Sequence, residues 1–147
     1  MNTAAEHYKK LERMYLSAPI NHEHYPGIHI SVTHEKAEIA VQVEEKFFHA
    51  AGAIHGSVYF KLLDDAAFFA VNSIVRDAFV YTVSFHIQLL RPVSSGTIKA
   101  VGEVKFKSKE LFIADATLWD EKGRVVGRGS GNFMKSKMEL NEKLGYQ

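Results

Sequence analysis

Apolar residues recur at helical spacing near the start of the chain, where Tyr8, Leu11, Met14 and Tyr15 share a face until Pro19 breaks the run. Asn2 or Thr3 followed by Glu6 supplies a capping box, so the pattern predicts a short amphipathic opening helix. The segment INHEHYPG reads as loop. IHISVTHEKAEIAVQV then alternates in the manner of two short strands turning near His34 to Lys36. From His55 to about Val75 the chain is apolar and rich in Ala, Leu and Phe, too long for a strand, and predicts the one long helix. Beyond Phe79 the period becomes two. Tyr81, Val83, Phe85, Ile87 and Leu89 fall on one face and Thr82, Ser84, His86 and Gln88 on the other, until Pro92. Turns at SSG, SKE and DEKGR separate three further strands, Thr97 to Lys107, Leu111 to Trp119 and Val125 to Lys135. The expectation is an α+β fold in which a meander of four long antiparallel strands curls around the single long helix. One helix leaves sheet edges open, and pairing with a second copy closes them, so a dimer is expected.

Composition narrows the field. The 147 residues, 46% of them hydrophobic, suffice for one domain over residues 1–147 with its own core. Cysteine is absent, which excludes disulfides, thiolate metal sites and a cysteine nucleophile. The formal charge is +1 with no block of like charge, so nucleic acid is not the expected partner. MNTAAEHYKKLERMYLSAP contains no apolar signal core, and no run approaches the ~20 apolar residues of a membrane span. A soluble, cytoplasmic protein without membrane attachment is expected.

The candidate chemistry lies in HAAGAIHGSVYFKLLDDAAFFA, residues 49–70, where two adjacent carboxylates interrupt an apolar helix. On a helical wheel Lys61, Asp65 and Asn72 form one polar stripe, and Lys61 and Asp65 make an i,i+4 pair, so Asp65 reads as part of a solvated edge. Asp64 falls outside that stripe, among Phe60, Ala67, Phe68 and Val71. It either tilts toward Lys61 as a salt bridge or lines a mostly apolar pocket with a pKa suited to base chemistry. The second is preferred, because a surface pair needs no apolar surround.

At the helix start, Gly52 and Gly56 flank His55, so the backbone can approach a ligand and present free N–H groups backed by the helix dipole. Such donors suit a developing oxyanion, although simple helix entry explains the same residues. A helix start and a side chain nine residues on lie about 13 Å apart along the axis. One chain therefore cannot bring Gly56 and its own Asp64 to one carbonyl, whereas a two-fold dimer can.

The order of elements, the motif from His49 to Asp64 and the following TVSFHIQLLRP resemble the hotdog-fold thioesterases of the phenylacetate-degradation type over roughly residues 27–136. In that family an Asn is followed three residues on by Gly, then by His-Gly-Gly and an acid nine positions past the His. Gly52, His55, Gly56 and Asp64 match, while His49 replaces the Asn and Ser57 the second glycine. The resemblance implies an acyl-CoA thioesterase that needs no metal or redox cofactor, acting as a homodimer or a dimer of dimers. In it Asp64 is base or nucleophile, Gly56 the oxyanion donor and His55 its support. Thr82 stands where the family has a hydroxyl near the acid, although an outward-facing strand threonine reads equally well. A neutral His49 imidazole replaces an amide as a holder of water or carbonyl oxygen.

The resemblance makes Arg91, Lys107, Lys109, Arg128 and Lys135 candidates for CoA phosphates, and Phe60, Phe68 and Phe69 candidates for an acyl tunnel, with core packing the better account of at least two of the three. His22, His24, His29 and His34 lack ligand spacing and read as solvated positions. A non-catalytic acyl-CoA or acyl-lipid sensor, motivated by His49, and a hydratase or dehydratase on the same fold are the rival readings.

Overall fold

The computed structural model describes residues 2–147. Helix α1 spans Ala4–Ser17, capped by Thr3, whose hydroxyl accepts from the Glu6 N–H at 3.1 Å. Its apolar stripe buries Leu11, Met14 and Tyr15. The segment expected as loop instead forms helix α2, Pro19–His24. Pro19 occupies the first turn of that helix, where its missing N–H costs nothing, so the proline starts a helix as well as ending one.

Strands β1 (His29–Thr33) and β2 (Lys36–Gln42) form the expected hairpin, its turn carried by Glu35 at φ 58°. Helix α3 is Gly56–Asn72, followed by β3 (Ala78–Leu89), β4 (Thr97–Lys107), β5 (Leu111–Trp119) and β6 (Val125–Glu139). All pairings are antiparallel, in the order β1-β2-β4-β5-β6-β3. The four long strands are thus not a simple meander. β3 passes over to pair with β6, and β4 pairs with β2, leaving β1 and β3 as edges.

The sheet curls around α3. Leu62, Leu63, Ala66, Ala67, Ala70 and Val71 are fully buried, and the alanines among them let helix and sheet approach closely. At Gly102 of β4 a Cβ would lie 2.3 Å from the Ala66 carbonyl group, so only glycine fits there. No helix among the described residues is long and apolar enough to cross a membrane.

β3 departs from strict alternation. A bulge between Thr82 and Ser84 inserts one residue, leaving Val83 52% exposed and returning Phe85 and Ile87 to the inner side. Thr82 and Phe85 consequently face the same way, which an unbroken period of two forbids. Phe85 lies over Gly131, its partner on β6.

Candidate active site

Asp64 sits at the middle of α3, part-buried, and the Thr82 hydroxyl donates to its Oδ1 at 2.8 Å. Thr82 lies two residues past the buried Val80 and so faces inward, the bulge after it bringing Phe85 to the same side, and the outward-facing alternative for Thr82 does not hold. Asp64 makes no ion pair with Lys61. The Lys61 ammonium goes to Asp65 Oδ2 at 2.7 Å, and the same oxygen accepts from the Tyr15 hydroxyl at 2.7 Å. Asp65 is therefore not a solvated edge. It is a part-buried anchor between α3 and α1, with Lys61 also over the rings of Tyr15 and Tyr25. Asn72, the third member of the supposed stripe, is fully buried and ties the helix end to Val75, Ala78 and Val80.

Burial pushes the Asp64 carboxyl up to about 6, and the neighbouring Asp65 adds to the rise. The Thr82 hydrogen bond and the Lys61 charge oppose it without cancelling it. The carboxyl opens into a cleft of about 720 Å³ whose lining includes Phe68, Phe69 and Phe79. Phe68 and Phe69 both line the cleft and pack against each other, with ring centroids 5.1 Å apart. Phe60 points elsewhere, 40% exposed, with its ring against Phe85.

The start of α3 forms a separate place. His55 is the N-cap, its Nδ1 accepting from the Ser57 N–H at 3.0 Å and lying 2.8 Å from the Ser57 hydroxyl. Gly56 is the first helical residue, so its N–H has no acceptor within the helix. His49 is exposed, and its Nδ1 accepts from the Ala51 N–H at 3.0 Å, which leaves hydrogen on Nε2 of the neutral ring. His49 and Gly56 share a hollow of about 320 Å³ with Tyr59, Leu89 and Arg91. One chain thus brings together Asp64 with Thr82, and His49 with Gly56, but not the two pairs. Eight residues of helix, about 12 Å of rise, separate Gly56 from Asp64.

Of the basic candidates, Lys107, Lys109 and Lys135 converge with Arg76 and His34 on one cleft. Arg91 stands at the helix-start hollow, and Arg128 bonds Gln88 across the β3–β6 pair. Sequence reasoning named Lys61 as a possible partner of Asp64 but did not find Tyr15 or residues 142–147 near it. The apolar face of α1 was legible, but nothing local says which helix it meets.

The chain belongs to the thioesterase superfamily, whose family model matches residues 51–127, and the class is one of hydrolases. A protein of Saccharolobus solfataricus named "Putative esterase" is 24% identical over 110 residues, covering 71% of this chain and 73% of its own length. Among solved structures, the PaaI protein of the Escherichia coli phenylacetic acid degradation operon superposes with a TM-score of 0.84 at 20% identity, covering 95% of this chain and all of that one. A thioesterase of Haemophilus influenzae superposes with a TM-score of 0.75 at 17% identity, covering 86% of this chain and 88% of its own. The fold is the hotdog fold, α3 being the filling and the curled sheet the wrap, as in the phenylacetic acid degradation protein.

Proposed function

We propose that this protein is a cytoplasmic acyl-CoA thioesterase, one domain over residues 1–147, working as a homodimer or dimer of dimers with its site between two chains. The observation that carries the reading is Asp64. It is a part-buried carboxylate in an apolar cleft, held by a single hydroxyl and ionising at about pH 6, poised as a base near neutrality.

The chemistry follows from the two half-sites. Asp64 of one chain takes a proton from water, which attacks the thioester carbonyl; as nucleophile it would attack directly and pass through an anhydride that water opens. The charge developing on the carbonyl oxygen meets the Gly56 N–H of the other chain, at the positive end of α3. His55 holds that first turn by capping it, and His49 offers Nε2–H beside it in the role of the amide it replaces. Thr82 orients Asp64 and keeps its ionised form accessible. The carbonyl then re-forms with loss of the CoA thiolate, which is protonated to the thiol.

Edge strand β3 supports the dimer. It is twelve residues long and unpaired on one side, with Tyr81, Val83 and Leu89 each more than two-fifths exposed. The test is thiol release from acetyl-, hexanoyl-, dodecanoyl- and phenylacetyl-CoA by wild type and Asp64→Asn. Release by wild type that falls about 10²- to 10⁴-fold in the variant is expected, as for loss of a catalytic base. Equal rates in the two proteins would overturn the mechanism, and tight binding of the esters without turnover would establish a sensor instead.

A further inference from the structure

The cleft beside Asp64 has two walls of different origin. Phe68, Phe69 and Phe79 come from the helix and sheet shared with the family, whereas Met14, Ile20 and Leu144, which also line the cleft, lie outside the residues that the family model matches. Leu144 belongs to a short 3₁₀ turn, Glu142–Leu144, capped by the Asn141 side chain, which accepts from the Lys143 N–H at 2.9 Å.

Chain ends are ordered only when something ties them down. Here Tyr146 is 6% exposed, and its hydroxyl lies 2.7 Å from His7 Nδ1 and accepts from the Asn2 amide at 3.0 Å. His7 is fully buried, and its Nε2 lies 2.8 Å from the carbonyl oxygen of Asn72, the last residue of α3. A carbonyl only accepts, so Nε2 carries the hydrogen, and Nδ1 accepts from the Tyr146 hydroxyl. Arg13 Nε donates to the Gln147 carbonyl. Gly145, at φ 86°, passes so close to α1 that a Cβ there would lie 2.5 Å from Ser17 Oγ. The tail is thereby latched through α1 to the helix that carries Asp64.

We propose that this latched C-terminal segment is the outer wall of an acyl-binding subsite, and that Leu144, held in place by Tyr146, sets the size of the apolar acyl group the protein accepts. The lining chemistry selects an aliphatic or aryl group. Met14, Ile20, Leu144 and three phenylalanines line the cleft, with Glu142 and Lys143 of the same C-terminal turn also on its lining, and the nearby Lys61 charge is already satisfied by Asp65. The position of the reacting carbonyl at Asp64 rests on the thioesterase reading. Tyr146 is a positioning residue that reaches the substrate only through Leu144.

The experiment measures binding of the same four acyl-CoAs and of free CoA to full-length Asp64→Asn, so that turnover plays no part, and repeats it with Leu144→Trp, Leu144→Ala or Tyr146→Phe added. Leu144→Trp is expected to weaken dodecanoyl- relative to acetyl-CoA by about tenfold, the scale on which an apolar pocket discriminates size. Leu144→Ala is expected to shift preference toward the bulkier esters, and Tyr146→Phe to blunt the difference between hexanoyl- and dodecanoyl-CoA. The phenylacetyl arm separates an aryl from a straight-chain ligand. A chain-length profile unchanged in both Leu144 variants, or a loss shared equally by every ester and by free CoA, would overturn the subsite; an unchanged profile in Tyr146→Phe would overturn the latch. Chain-dependent binding that responds to Leu144, with no thiol release by wild type, would sustain the subsite and overturn the thioesterase reading.

Discussion

Asp64 and Asp65 are chemically identical neighbours with different surroundings. Asp65 takes an ammonium and a phenol on one oxygen, whereas Asp64 takes one hydroxyl and otherwise meets aromatic rings and the cleft. For the base proposed at Asp64, which must be ionised to accept a proton, kcat/KM is expected to rise with pH through about 6. The Thr82 hydroxyl donates to the ionised form and so favours it. Thr82→Val is expected to move that rising limb to higher pH, measurable as a pH–rate profile. The same group has a cost in stability. Asp64 ionises near pH 6 when folded and near its ordinary 3.8 when unfolded, so between these values the folded state holds more protons and stability falls as pH rises. Asp64→Asn keeps an acceptor for Thr82 and removes the buried charge. It is expected to be more stable than wild type at pH 7 by about 1 to 3 kcal/mol in denaturant titration, and no more stable at pH 3.

Among the elements, α3 and β4 make the contact that tolerates least change. The neighbour of Gly102 is the Ala66 backbone, which cannot rotate aside as a side chain would. Gly102→Ala is expected to cost at least about 1 to 3 kcal/mol, read from chemical denaturation, because helix and strand must separate to admit one methyl group. The elements also show how far local pattern reaches. Helix α3, the β1–β2 hairpin and the four strands after α3 follow from periodicity and turn residues, and a cap at Asn2 or Thr3 from the spacing to Glu6, of which the structure uses Thr3. Helix α2 does not, because Pro19 was read as a stop although a proline is equally a first residue. The bulge in β3 has no glycine or proline to announce it, and it decides that Phe85 and Ile87 share the inner face with Thr82, which meets Asp64.

For the molecule as a whole, the proposed site needs two chains, because Gly56 and Asp64 lie about 12 Å apart along one helix. Gly56 is the first residue of α3, where proline is tolerated, and His55 before it already has the extended backbone, φ −65° and ψ 147°, that a following proline requires. Gly56→Pro therefore removes the N–H with little harm to the fold. Each of Gly56→Pro and Asp64→Asn is expected to be nearly inactive alone. Co-refolded mixtures are expected to regain activity, because a mixed dimer has one site with both groups intact. A mixture as inactive as its components would place all the machinery within one chain.

The amino-acid sequence by itself determined the α+β class, the presence and start of the long helix α3, the helix-start glycine and the anomalous acid, since these depend on periodicity and on motifs within a single element. It also carried the inference that one helix cannot hold both halves of the site, which needs only the helical rise. The tertiary structure alone decided that β3 lies beside β6, that Lys61 serves Asp65 and not Asp64, and that Thr82 turns inward. It alone brought Tyr146 to His7, 139 residues away in the chain. Strand order, side-chain partners and the docking of a chain end are settled by competition among long-range contacts, and no local pattern records the winner.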